Sequence, residues 1–227
     1  MKPTTDKARR VIKRQNLAST LVDDLRKRII SGEFPGGTML RQAQLADEYG
    51  VSRMPVREAL HQLDAEGLVE TIANKGALVT ELSLAEIDEI FDIRATLEPD
   101  LLARAIPNIT QDAIDEIQAV LHELDEAYQT RDVEHWGTLN AKFHISLYKP
   151  SGRSISLSFI HRISLQVDRY IRIQLVMTNA MTDGAEDHLQ LFELAKAGET
   201  KKAVALLNTH IQRTKEQLLA ILAARKH

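Results

Sequence analysis

The chain has 227 residues, 44% of them hydrophobic and 4% aromatic, with a formal net charge of −3. That is long enough for two domains, apolar enough for real cores, and weighted toward helix. There is no cysteine, which excludes disulfides and thiolate metal sites and fits a reducing compartment.

No apolar run reaches the roughly 18 residues of a membrane span, and the polar N-terminus is no secretion signal. A cytoplasmic protein without a membrane partner is therefore expected. The net charge hides an asymmetry. Residues 1–80 carry 13 Lys+Arg against 10 Asp+Glu, whereas residues 81–227 carry 16 against 22. A mildly basic N-terminal part ahead of an acidic remainder supports a DNA-facing end.

Residues 1–16 include Lys2, Lys7, Arg9, Arg10, Lys13 and Arg14, the composition of a disordered tail or of an arm that touches phosphates. Ser19 or Thr20 is placed to cap a helix with Val22, Leu25 and Ile29 as its buried stripe and Gly32 as its stop. Phe34-Pro35-Gly36-Gly37 is a turn by its chemistry. From Gln42 to Gly67 the pattern predicts two short helices around a tight turn. The first turns Ala43, Leu45, Ala46 and Tyr49 inward and stops at Gly50, a residue suited to a left-handed C-cap. Ser52 is placed to cap the second, with Pro55 in its first turn, where a missing N–H breaks no intrahelical bond.

Val56, Ala59, Leu60 and Leu63 share one face of that second helix, and Arg53, Arg57 and His61 share the opposite one. Outward arginines near a helix N-terminus suit a major-groove reader, and also an ordinary solvated face. Leu68–Ile72 and Ala77–Thr80 then read as a hairpin about Asn74-Lys75-Gly76. It is either a wing, with Lys75 at its tip beside a glycine that permits close approach to DNA, or a hairpin that merely closes the domain.

From Ser83 onward every element reads as helix. Ser83 and Glu86 form a capping box, opening a helix to about Ala105 with Ile87, Ile90, Phe91, Leu97 and Leu101 at helical spacing. Pro107-Asn108 ends it, Thr110 caps a second helix to about Thr130, and a third runs from Val133 to about Lys149. A fourth, Ser154 to Met177, is apolar on much of its surface and should be central. Met181–Gly184 reads as a loop, His188–Ala197 as a fifth helix, and Thr200 to the C-terminus as a sixth. The expected fold is mainly α: a tail over 1–16, a winged helix-turn-helix over 17–81, and an antiparallel helical bundle over 82–227.

The stretch Leu45–Leu60, LADEYGVSRMPVREAL, closely resembles the signature of the GntR family of bacterial transcription regulators. The C-terminal part is similar to the all-helical FCD effector domain of the FadR subfamily, in Ile93–Glu98, Asn140–His144, Asp187-His188 and Thr209–Ile211. The resemblance implies a ligand-responsive regulator, most simply a repressor, that binds a pseudo-palindromic double-stranded operator as a homodimer. Arg41, Ser52, Arg53, Pro55, Arg57, Lys75 and Gly76 are its implied DNA-binding residues.

In many such domains an Asp and three His hold a divalent metal. Here the set is Asn140, His144, His188 and His210. The amide brings no charge, so affinity for a hard ion should fall, while three neutral imidazoles still suit Zn²⁺ or Ni²⁺. For a small organic carboxylate effector, Arg94 is a candidate bidentate clamp, with a surface ion pair to Glu98 as the alternative. Arg169 and Tyr170 are further pocket candidates. Two other functions fit the same residues: a regulator for which the metal ion is itself the signal, and a His-metal hydrolase fused to a DNA-binding module. Against an enzyme, there is no H-E-x-x-H, G-x-S-x-G or phosphate loop.

Overall fold

The computed structural model describes residues 17–73, 75–130, 132–177 and 180–224. The tail over 1–16 and Asn74 of the hairpin turn lie outside them. Helix α1 (Leu17–Ile30) buries Leu21, Val22, Leu25, Ile29 and Ile30. Its stripe is the expected one, but Ser19 and Thr20 lie inside the helix rather than ahead of it.

Helix α2 (Gln42–Glu48) and helix α3 (Arg53–Ala65) follow. Gly50 stands at φ +64°, while Val51 N–H donates to the Ala46 carbonyl (2.9 Å) and Gly50 N–H to that of Asp47 (3.3 Å). Those two bonds satisfy carbonyls the helix end would otherwise leave open. Gly67 ends α3 in the same way, with Leu68 N–H on Leu63 and Gly67 N–H on Asp64. Ser52 occupies the N-cap of α3 with extended backbone but makes no side-chain cap bond. Val56, Ala59, Leu60 and Leu63 are buried, so the helix turns the expected face inward.

Strands β1 (Met39–Leu40), β2 (Val69–Ile72) and β3 (Gly76–Val79) form an antiparallel sheet in the order β1-β3-β2. The hairpin is where the sequence puts it, with Val69 opposite Val79 and Ile72 opposite Gly76. β1, two residues long, carries no readable alternation and is seen only in the structure. It changes the meaning of Gly76. At φ +137° that residue is buried, and a Cβ there would overlap the carbonyl of Leu40. The close approach this glycine permits is to β1, not to DNA.

The second core belongs to six helices: α4 (Leu84–Ala105), α5 (Gln111–Thr130), α6 (Val133–Tyr148), α7 (Ser154–Met177), α8 (Ala180–Lys196) and α9 (Thr200–Ala224). The capping box is formed, Glu86 N–H donating to Ser83 Oγ (3.2 Å) and Ser83 N–H to Glu86 Oε2 (2.7 Å). α7 packs on α4, α6 and α9 and also reaches α1.

One expectation fails. Met181–Gly184 is not a loop but part of α8. Gly184 serves contact rather than a turn, since a Cβ there would lie 2.7 Å from the Tyr128 hydroxyl on α5. No helix of the described residues is long and apolar enough to cross a membrane.

The role of Gly76 is directly testable. Gly76→Ala should destabilise the protein by roughly 3 kcal/mol or more, combining a glycine-only backbone with a clash against backbone. Gly32→Ala, also at positive φ but in open space, should cost about 1 kcal/mol. Chemical denaturation of both variants checks this, and equal losses would remove the β1 contact as the reason.

Candidate functional site

Three bundle helices each contribute one histidine to a common interior point: His144 from α6, His188 from α8 and His210 from α9. One ring nitrogen from each lies within 4.8 Å of the others, and the ring centroids stand 5.0–5.5 Å apart. The spacing that unites them is helical: each sits on an inward stripe, so the bundle's closure converges them.

What holds the His144 and His210 rings also sets which of their nitrogens is bare. Tyr148 donates its hydroxyl hydrogen to Glu98 Oε2 (2.7 Å). Its oxygen, 3.2 Å from His144 Nδ1, can then only accept, so His144 carries its proton on Nδ1 and presents Nε2 as a lone pair. Asp187 does the same for His210, with Oδ2 2.7 Å from Nδ1 and a second bond from Arg213. His188 Nδ1 lies 3.4 Å from the Tyr128 hydroxyl. The Nε2 atoms of His144 and His188 are buried and have no hydrogen-bond partner.

Burial, and after it the neighbouring imidazoles, push both His144 and His188 well below the usual histidine pKa. At neutral pH they are uncharged, the ligating form of histidine. Buried ring nitrogens without a partner are rare in proteins and ask for one. A soft-to-borderline divalent ion fits this donor set, with Tyr148 and Asp187 as the outer groups that orient the ligands.

Beside the histidines lies a cavity of about 40 Å³ lined by Arg94, Asn140, Gln174, Arg213 and Gln217 among others, room for about three water molecules. Asn140 is half-buried on this wall, one turn before His144. Arg94 is not the surface residue of the alternative reading. It is 6% exposed, its Nε bonds Glu98 Oε1 at 2.6 Å, and Glu98 is 1% exposed. The pair is buried, and among the described residues the terminal guanidinium nitrogens of Arg94 have no protein acceptor.

Arg169 and Tyr170 do not line this cavity. Arg169 donates to the Thr80 carbonyl and to the Tyr170 hydroxyl, and that hydroxyl accepts from Leu82 N–H at 2.7 Å. Both therefore reach the segment between the hairpin and α4, while Gln174, one turn beyond Tyr170 on the same helix, lines the cavity. The sequence reading overlooked Tyr148 and Arg213 and placed Glu98 in a surface ion pair rather than a buried one. Tyr148 follows His144 by four and Arg213 follows His210 by three, so one-turn spacing was the signal that could have found them.

On the winged helix, Arg53, Arg57 and His61 are exposed on the outer face of α3, and Ser52, Arg41 and Lys75 are exposed as well. Pro55 is half-buried. Gly76 packs against the Leu40–Arg41 backbone, which brings Arg41 to the base of the wing near Lys75.

The buried pair has a measurable consequence. Glu98→Ala strands the Arg94 guanidinium and removes the acceptor of Tyr148, which should cost about 3–5 kcal/mol. Tyr148→Phe, which removes one hydrogen bond and keeps the ring, should cost about 1 kcal/mol. Urea denaturation followed by far-UV circular dichroism separates the two, and a Glu98→Ala loss no larger than that of Tyr148→Phe would contradict this reading of the pair.

Residues 17–79 match the family described as bacterial regulatory proteins, gntR family, and residues 89–213 match the FCD domain. Over 204 residues the chain is 28% identical to an uncharacterized HTH-type transcriptional regulator, BphR, of Paraburkholderia xenovorans, covering 87% of this chain and 83% of that protein. It is 29% identical over 195 residues to the HTH-type transcriptional repressor GlaR of Escherichia coli, with 82% and 89% covered. Among solved structures, E. coli McbR/YncC shares the fold with a TM-score of 0.77 at 24% identity, covering 93% of this chain and 99% of that one. Domains and relatives alike are those of a transcription regulator rather than an enzyme. The chain belongs to the GntR family of bacterial transcription regulators, with a GntR-type helix-turn-helix domain followed by an FCD domain.

Proposed function

We propose that this regulator is a cytoplasmic, homodimeric repressor of the FadR subfamily whose grip on a pseudo-palindromic operator is set by a small organic carboxylate in the His-lined cavity. The observation that carries the reading is the pair of buried, unpartnered imidazole nitrogens on His144 and His188. His144, His188 and His210, with the Asn140 oxygen beside them, would hold Zn²⁺ or Ni²⁺. Such an ion would supply a positive, Lewis-acidic vertex for an anionic ligand. Arg94 offers its uncommitted guanidinium nitrogens to a carboxylate, and Arg213, steadied by Asp187, adds a second positive charge to the same wall. Because Asn140 is uncharged, the ion is held more weakly than by a carboxylate in its place. The small cavity limits the effector to a few heavy atoms.

On the DNA side, Arg53 and Arg57 project toward base edges and phosphates. Ser52, whose hydroxyl makes no cap bond, donates to a phosphate, and Arg41 and Lys75 follow the backbone from the wing. One winged helix reads few base pairs, so two copies on a two-fold site supply the specificity. The repressor sense follows the name of the E. coli relative. A second reading, with the ion alone as the signal, is favoured by how little room the cavity leaves beside it.

Arg57→Ala should weaken binding to a duplex selected in vitro by the wild-type protein by about 1–3 kcal/mol. Its thermal stability should stay nearly unchanged, because the side chain is exposed. Operator affinity equal to wild type would end the assignment. For the sensor, metal analysis of wild type beside a His144→Ala/His188→Ala double variant should show the ion lost from the variant, and equal metal contents would remove the site. Titrating operator binding with Zn²⁺ or Ni²⁺ alone and then with small carboxylates separates the two readings. A metal-free wild type carrying an organic anion would keep the cavity and discard the ion.

A further inference from the structure

One turn of α7 is gripped from two sides. Gln166, Arg169 and Tyr170, at i, i+3 and i+4, share its outer face. Arg169 donates to the Thr80 carbonyl and, at 2.7 Å, to the Tyr170 hydroxyl, and Leu82 N–H donates to that same hydroxyl at 2.7 Å. The Gln166 amide lies against Gly67, where any Cβ would overlap it. Thr80 Oγ1 in turn donates to the carbonyls of Gly67 and Leu68. The outer face of α7 thus holds the residue that ends α3, the residue that leaves the wing, and the residue before the cap of α4.

The neighbouring positions of α7 belong to the sensor. Ile171 and Gln174 line the His cavity. Asp168 and Arg172, paired at 3.0 Å and buried, close over Gly137 of α6, where a Cβ would lie 2.5 Å from both. Gly137 is one turn before Asn140 and two before His144 on the same helix.

We infer that α7 is the rod by which the state of the His cavity reaches the recognition helix α3, with Arg169 and Tyr170 as the positioning residues that clasp it to the winged helix. This rests on the reading of that cavity as the sensor. The physical reason is absence of slack. Hydrogen bonds onto backbone atoms tolerate a few tenths of an ångström, whereas helices in switching proteins move by about 1–2 Å. The two glycine contacts leave no gap to absorb such a shift. When the cavity changes and α7 moves, Thr80, Leu82 and the end of α3 either travel with it or lose their bonds. Either outcome changes where α3 and the wing stand.

The test is amide hydrogen exchange over residues 67–82 in the full-length protein, with the cavity perturbed in two independent ways: saturation with Ni²⁺, and Asn140→Ala. Tyr170→Phe keeps the ring and removes the acceptor for Leu82 and Arg169; Arg169→Gln replaces the guanidinium that donates to Thr80 with a shorter, uncharged amide. In the wild-type clasp, at least one cavity perturbation should change exchange over 67–82 by about threefold or more. In Tyr170→Phe and Arg169→Gln that change should vanish.

The inference is overturned if neither perturbation reaches 67–82 in the wild type, or if the response survives intact in both clasp variants. A clasp that only braces the fold would give the latter, with a lowered unfolding midpoint. Failure of Ni²⁺ to bind, with the Asn140→Ala response present and clasp-dependent, would count against the metal reading alone and leave the transmission inference supported.

Discussion

Two buried imidazole nitrogens without a hydrogen-bond donor are the constraint on which the helical half of this protein depends. An unmet lone pair in a packed interior costs free energy comparable to a lost hydrogen bond, and here two sit within a few ångströms of each other and of a third ring. The surrounding residues do not relieve that deficit; they enforce it. Tyr148, committed to Glu98, pins the proton of His144 on its outer nitrogen, and Asp187, committed to Arg213 as well, does the same for His210. The proposed ion is what would repay this arrangement. Glu98 and Asp187 also hold Arg94 and Arg213 on the cavity wall, where an anionic effector would meet them.

The two domains are built on opposite principles. The winged helix has an apolar interior from α1, α2, α3 and the sheet, with its polar groups outside, and Gly50, Gly67 and Gly76 fix its turns and strand approach. Its business is to present a rigid arginine-bearing face. The bundle has an apolar core of its own but interrupts it with Arg94, Glu98, His144, Asp168, Arg172, Asp187, His188 and His210, all buried. A polar interior of this kind is costly unless each member is satisfied. Glu98, Tyr148 and the Asp168–Arg172 pair meet that condition, whereas the inner histidine nitrogens and the terminal guanidinium nitrogens of Arg94 do not.

Much of the winged helix was legible because its signals are local: an apolar stripe, a glycine stop, a capping serine position, a turn triplet. β1 was not, since two residues carry no period, and without it Gly76 was read as a point of approach for DNA. In the bundle, helix existence could be read from spacing, and the His set from the resemblance to the FCD domain. The failures there share one cause. Gly184 was taken as a turn signal when it accommodates the Tyr128 hydroxyl. Arg169 and Tyr170 were assigned to the cavity when their face of α7 looks to Thr80 and Leu82. Which side of a buried helix meets which neighbour is set by tertiary packing, and a helix apolar on several faces leaves that undetermined in sequence.

The central claim is that the three histidines exist to hold an ion. X-ray data collected at the zinc and nickel absorption edges, from crystals of protein purified without chelator, test it most directly. The account predicts an anomalous peak about 2.1 Å from a ring nitrogen of each of His144, His188 and His210. Intact, converged imidazoles bonded to ordered water or to an organic anion, with no anomalous signal between them, would contradict it.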